Sequence, residues 1–187
     1  MAEYPHFPPA LVRQLAGVDR RGVRLVPLAA MSVLSLRARD EGLERAAAAL
    51  GLVSLPTPNS VASTAVGDCL WVRPDEWLVV GDTADRERTL AALESAIGPD
   101  DGAVVDISAS RVLLELSGPR SRDVLASCCP LDLHPTVFDT GRCAQSVVGK
   151  APVLLQLMDD APRWRIMMRP SLSGYVTSWL TDGMLGE

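Results

Sequence analysis

Between Arg111 and Ser117 apolar and polar positions alternate. Val112, Leu114 and Leu116 share one side and Arg111, Leu113 and Glu115 the other, the period of two expected of a strand with one well-buried face. Ser117-Gly118-Pro119 stops that strand and opens a short helix, because proline at the first helical position loses no hydrogen bond it needed. Along this helix Val124, Leu125 and Cys128 fall on one side, with Arg120, Arg122 and Asp123 mostly on the other. Pro130 ends it, and a loop beginning Leu131-Asp132-Leu133 leads to another strand near Ser146. Adjacent helical residues point about 100° apart. The pattern therefore predicts that Cys128 faces the core and Cys129 does not.

The same reading carries through the rest of the chain. A strand lies within residues 25–39, centred on Val33 and Leu34, and a helix over residues 41–50 is rich in strong helix formers with Gly51 placed to close it. Leu55-Pro56-Thr57-Pro58-Asn59 is a proline-interrupted break. Strands follow over residues 61–66 and 69–72, with Gly67-Asp68 expected as the hairpin turn between them. After the turn at residues 73–76, an apolar strand spans 77–80. A helix over residues 84–97, capped by Asp82 or Thr83, presents Leu90, Leu93 and Ile97 as its stripe and ends at Gly98-Pro99. Strands at 152–158 and 164–168 form a hairpin. A last helix spans residues 171–182 with Leu172, Val176, Trp179 and Leu180 as its expected buried face. Strands and helices mixed through short connections predict an α+β fold, mainly antiparallel sheets covered by helices.

Length allows one domain over residues 22–187, with room for two sublobes, since residues 61–97 and 104–128 each read strand, turn, strand, helix. Residues 1–21 stand apart. Tyr4-Pro5-His6-Phe7-Pro8-Pro9 cannot form a regular helix or a central strand. It is either a disordered tail or an arm lying along a partner, with Tyr4 and Phe7 as the candidate contacts.

Charge and composition narrow the function. A net charge of −5 argues against nucleic acid or an anionic membrane as partner, because both reward clustered cations. No basic segment precedes an apolar run at the N-terminus, and no stretch approaches the roughly 20 apolar residues of a membrane span. The cysteines Cys69, Cys128, Cys129 and Cys143 form no CxxC pair and have no histidine at ligand spacing, so reduced, buried thiols in a cytoplasmic protein are expected.

Motifs for chemistry are sparse. Neither GxGxxG nor a Walker sequence is present, which leaves common flavin, NAD and ATP sites without support. His6 and His134 have no nucleophile pattern near them, and no set of three or four metal ligands is evident. No catalytic residue is assigned. Asp75 and Glu76 are adjacent and expected to point apart. Asp106 and Arg111 are the weak candidates for a binding site: Arg111 either grips a ligand carboxylate in a two-pronged hydrogen bond or pairs internally with Asp106. Trp71 and Trp77 flank the Pro74-Asp75-Glu76 turn, one expected inward and one outward, as core or cross-strand residues or as interface anchors. Met158, Met167 and Met168 suit a core or an interface equally.

The segments LWVRPDEWLVVGD and LELSGPRSRDVLASCCPLDLHPTVFDTGRCAQS resemble the gamma subunit of bacterial heterotetrameric sarcosine oxidase. More distantly, the chain is similar to the folate-binding domain of the glycine-cleavage T-protein. The resemblance covers roughly residues 28 to 183, and PDEWL followed by SGPRSRDVL and CPLDL is its specific part. It implies the folate-binding-domain fold and a non-catalytic, scaffold-like role beside alpha, beta and delta subunits. It further implies that FAD, FMN, NAD, zinc and tetrahydrofolate belong to those partners and none to this chain. The complex would oxidise sarcosine to glycine, yielding hydrogen peroxide and methylenetetrahydrofolate. The alternative is a stand-alone tetrahydrofolate-binding or aminomethyltransferase-like module, for which Asp106 is the best-placed acid.

Overall fold

The structure is a computed structural model describing residues 18–29 and 31–186. The chain divides into two compact units, the first built from the two ends of the sequence and the second from residues 30–109. Both are α+β, and every strand pairing in them is antiparallel.

The first unit contains β1 (Val18–Arg20), β2 (Val23–Pro27), β8 (Val112–Ser117), β9 (Cys143–Val148), β10 (Ala151–Asp159) and β11 (Arg163–Met168). These form one sheet in the order β1-β2-β8-β11-β10-β9. The expected alternation of β8 is observed, with Val112, Leu114 and Leu116 fully buried. They join Leu155, Ile166 and Trp164 in a core closed by the helices α3 (Ser121–Ala126) and α4 (Ser173–Leu185) through Val124, Leu125, Val176 and Leu180. A hairpin of β1 and β2, turning at Arg21 and Gly22 with φ of 52° and 76°, brings part of the N-terminal stretch into this sheet. Residues 1–17, including Tyr4, His6 and Phe7, lie outside the described residues.

The second unit contains β3 (Met31–Ala38), α1 (Glu41–Ala49), β4 (Val61–Thr64), β5 (Gly67–Arg73), β6 (Glu76–Asp82), α2 (Arg86–Ile97) and β7 (Gly102–Asp106), with the sheet ordered β4-β5-β6-β3-β7. Both helices pack on one face of it over Leu34, Leu36, Trp77 and Val79. Helix α1 ends as expected: Gly51 donates to the Ala48 carbonyl (3.0 Å) and Leu52 to the Ala47 carbonyl (2.9 Å), which satisfies carbonyls the helix leaves open. Asp82 caps the turn before α2 by accepting from the Ala84 N–H at 2.8 Å. Leu93 and Ile97 are buried and Leu90 packs at the edge of the core.

Three local expectations are corrected. Gly67 is the first residue of β5 rather than a hairpin turn. A Cβ there would lie 2.2 Å from the Val80 carbonyl oxygen, and φ is +132°, so the position serves a close backbone approach to β6. The thiols exchange places: Cys129 is 6% exposed and part of the core, while Cys128 is only partly buried. Helix α3 stops at Ala126, and the Cys128 and Cys129 N–H groups both turn onto the Leu125 carbonyl at 3.0 and 2.8 Å. A helical wheel no longer applies beyond that point. Finally, α4 buries Val176, Thr177, Leu180 and Met184, whereas Trp179 faces outward and is 42% exposed.

Candidate functional site

The candidate carboxylate Asp106, at the end of β7, is folded back onto its own turn. It accepts from the Ser108 N–H at 2.9 Å and from the Ser108 hydroxyl at 2.5 Å, and Arg86 Nε lies 3.6 Å away. The Ser108 hydroxyl in turn accepts from the Val33 N–H at 2.9 Å, tying the turn to β3. Arg111 belongs to the other unit, where its guanidinium donates to the carbonyl and hydroxyl oxygens of Ser110 at 3.0 and 3.1 Å.

Glu76 and Asp75 point apart. Glu76 is buried, accepts from the Ser35 hydroxyl at 2.8 Å, and lies 3.4 Å from both Arg37 and Arg73. A carboxylate so placed joins three strands, β3, β5 and β6. Asp75 lies beside an open groove of about 270 Å³, which Arg37, Arg39, Asp100 and Asp101 also line. There Arg39 donates to the Asp100 carbonyl at 2.9 Å, and Arg45 is paired with Asp101.

Trp71 and Trp77 are direct cross-strand partners in β5 and β6, so they share one face instead of alternating. Trp77 is 5% exposed and its indole N–H donates to the Pro56 carbonyl at 2.9 Å. Its reading as an interface anchor gives way to a core residue. Trp71 is partly buried at the edge of the same core. Met167 and Met168 are both buried.

His134 sits in the loop between α3 and β9. Its Nδ1 is 2.8 Å from the Thr136 hydroxyl, and its backbone N–H donates to Asp132 Oδ1 at 2.9 Å. The same loop is fastened by Arg122, a residue that sequence reasoning had left on the polar side of α3. Its guanidinium donates to the carbonyls of Leu133 and Phe138, the latter at 3.2 Å, and lies 5.0 Å from the centre of the buried Trp164 ring. Burial pushes its pKa below the usual guanidinium value. This clasp ties the loop to α3 and to the core ring of Trp164.

The Cys128 thiol is pushed up to about 11, mainly by burial and further by neighbouring Cys129, with Ser127 opposing. A thiol held protonated at neutral pH is a poor nucleophile and metal ligand. Among the described residues no three His, Cys, Asp or Glu side chains converge as a metal set. No described helix is long and apolar enough to cross a membrane.

Sequence reasoning missed one exposed feature, the outer face of α4. Tyr175 and Trp179 are 41% and 42% exposed, with ring centroids 6.2 Å apart. The available signal was the composition of residues 173–185, which carry one charge, Asp182, and are apolar or small around most of the helix.

Comparison with known proteins assigns the family. The profile of the Sarcosine oxidase, gamma subunit family matches residues 38–185. The chain is 35% identical over 173 residues to the sarcosine oxidase subunit gamma of Corynebacterium sp. (strain U-96), covering 92% of this chain and 78% of that protein. It is 34% identical over 175 residues to that of Arthrobacter sp, covering 93% and 79%. Among solved structures it superposes on a chain of the heterotetrameric sarcosine oxidase from Corynebacterium sp. U-96 in complex with pyrrole 2-carboxylate. There the TM-score is 0.85 at 33% identity, covering 94% of this chain and 92% of that one. The glycine cleavage system aminomethyltransferase T from Bartonella henselae shares the fold at TM-score 0.69 and 14% identity, covering 95% of this chain and half of that one. Sequence identity along nearly the whole chain, together with the matching fold, makes this protein a member of the sarcosine oxidase gamma subunit family.

Proposed function

We propose that this chain is the non-catalytic gamma subunit of a cytoplasmic heterotetrameric sarcosine oxidase, assembled with alpha, beta and delta subunits. In this reading the partners hold FAD, FMN, NAD, zinc and tetrahydrofolate. The assembly converts sarcosine to glycine, with hydrogen peroxide and methylenetetrahydrofolate as the other products. The observation that carries the proposal is the 35% identity over 92% of the chain to a sarcosine oxidase gamma subunit.

The residues themselves favour a scaffold. Asp106, the best-placed acid for one-carbon transfer, closes its own turn through Ser108. This does not fit the available acid that a folate's one-carbon unit needs beside it. Glu76 links three strands, and the raised pKa of the partly buried Cys128 suits a structural thiol. The stand-alone folate-binding alternative retains the shared fold alone, and a fold does not establish a function.

Purifying the chain by itself tests the reading. The expected protein shows no flavin absorbance and no bound zinc, has no measurable tetrahydrofolate affinity, and makes no peroxide from sarcosine. Stoichiometric flavin, or folate binding in the micromolar range, overturns it. Tyr4 and Phe7 belong to the same proposal as contacts to a partner subunit: deleting residues 1–10 weakens association while the remaining chain keeps its urea midpoint.

A further inference from the structure

A helix packed on a core ordinarily turns charged residues to solvent, and one that is apolar around its circumference is covered on every side. Helix α4 departs from the first pattern. Its inner face, Val176, Leu180 and Met184, is buried in the core of the first unit. Its outer face carries Tyr175 and Trp179, both substantially exposed, and a single charged residue, Asp182. Between these side chains and Ser127 runs an open groove of about 360 Å³, floored by Gly174, Ser178 and Gly183.

The two rings are held in place. A Cβ at Gly149, in the turn joining β9 and β10, would stand 2.7 Å from both Trp179 Nε1 and Tyr175 Oη. The Lys150 N–H donates to that same Tyr175 oxygen at 3.2 Å. The Tyr175 hydroxyl is thus held by the hairpin, and the Trp179 indole edge packs against Gly149. Ordering such a surface on a partner costs little side-chain entropy, and tryptophan and tyrosine are the residues that most often dominate binding energy.

Charge identifies the occupant. Asp182 stands in the last turn of α4, where the helix dipole adds negative potential. Trp179 lies one turn earlier on the same face, and an indole ring attracts a cation over its face. Arg21 and Arg120 reach the Gly186 carbonyl beyond the helix end, at 2.6 and 3.5 Å, rather than this groove. We propose that the Tyr175–Trp179–Asp182 face of α4 is a subunit-docking surface that receives an arginine-bearing segment of a partner subunit. In the docked state the guanidinium stacks on Trp179 and pairs with Asp182. This rests on the reading of the chain as one subunit of a larger oxidase.

The test uses the full chain co-expressed with the alpha, beta and delta subunits and captured through a tag on this chain. Trp179→Ala and Asp182→Arg should each lower partner recovery about tenfold or more. Asp182→Asn should remove most of the salt sensitivity of association. Asp182 is exposed, so its variants should melt within about 1 °C of wild type when purified alone, as surface changes ordinarily do. Trp179→Ala also loses the packing of the indole on Gly149, so its recovery is compared at a temperature where its own melt shows it folded. Wild-type recovery of partners by both variants overturns the docking face and leaves the subunit reading intact. A wild-type chain that dimerises by itself, with both variants monomeric, overturns the hetero-partner in favour of a second copy. Failure of the wild-type chain to recover any partner overturns the subunit reading, and the docking proposal with it.

Discussion

Replacing Arg122 with Met removes the clasp on the loop between α3 and β9 while keeping a long apolar stem. Arg122 makes two charge-assisted hydrogen bonds, to the Leu133 and Phe138 carbonyls, and one cation–π contact with Trp164. Hydrogen bonds to a charged group contribute about 1.5–3 kcal/mol each when buried, and a partly desolvated cation–π contact adds roughly 0.5–2 kcal/mol. Arg122 is partly exposed, so water replaces part of what is lost and the low end applies. The net expectation is about 2–4 kcal/mol. The cost reaches further than the loop surface, because Phe138 packs on Trp164 at 5.3 Å between ring centroids and Leu133 belongs to the same core. Urea unfolding followed by tryptophan fluorescence measures it as a lower midpoint at unchanged slope. Arg122→Lys should fall in between, since lysine keeps the charge over the ring but loses the planar fork that reaches two carbonyls. An unfolding free energy for Arg122→Met within about 0.5 kcal/mol of wild type refutes the clasp.

Other expectations follow from single sites. Gly67→Ala places a methyl against the Val80 carbonyl at a left-handed backbone position and should destabilise the chain by more than about 1 kcal/mol, read from the same urea curve. Cys129→Ala should cost more than Cys128→Ala, because Cys129 is the core thiol; alanine is the cleaner probe, as serine at 129 could still bond the Ser146 hydroxyl that now lies 3.5 Å from the sulfur. The raised pKa of Cys128 implies a pH effect with a definite sign. Its stabilising contribution is fully present below about pH 9 and is lost as pH rises towards 11. Stability measured across that window should therefore fall more steeply in wild type than in Cys128→Ala. Alkylation of Cys128 in the native protein should stay slow at pH 8 and accelerate only near pH 11; rapid labelling at pH 8 would contradict its protonated state.

The sequence made elements legible wherever a periodic pattern ran unbroken. The alternation through β8, the alanine-rich α1 with its closing glycine, and the Leu90–Leu93–Ile97 stripe of α2 all follow from local residue order. What it hid was either non-local or locally ambiguous. Arg24 pairs with Ser117 across the whole of the second unit's sequence, and no local pattern reveals that β2 and β8 are neighbours. Strand β1 has three residues, too few for a period of two to register. Trp179 was expected inward because α4 is apolar almost all round, so hydrophobicity alone could not choose its buried face. A helical wheel does not place the thiols, because the helix ends at Ala126 and the backbone turns before Cys128 and Cys129. The motif-bearing segments pointed to the family through residue order, while the α4 outer face became visible only once the sheet fixed which side of that helix was inside.

The central claim, that this chain works as one subunit of a larger oxidase and carries no active site of its own, is tested most directly by native mass spectrometry. The tagged chain is co-expressed with alpha, beta and delta sarcosine oxidase subunits, and sarcosine-dependent peroxide production is assayed on the same fractions. The expected result is one copy of this chain in a four-subunit assembly that holds all of the activity, with the free chain inactive. A chain that remains alone in the presence of all three partners, or that oxidises sarcosine by itself, contradicts the claim.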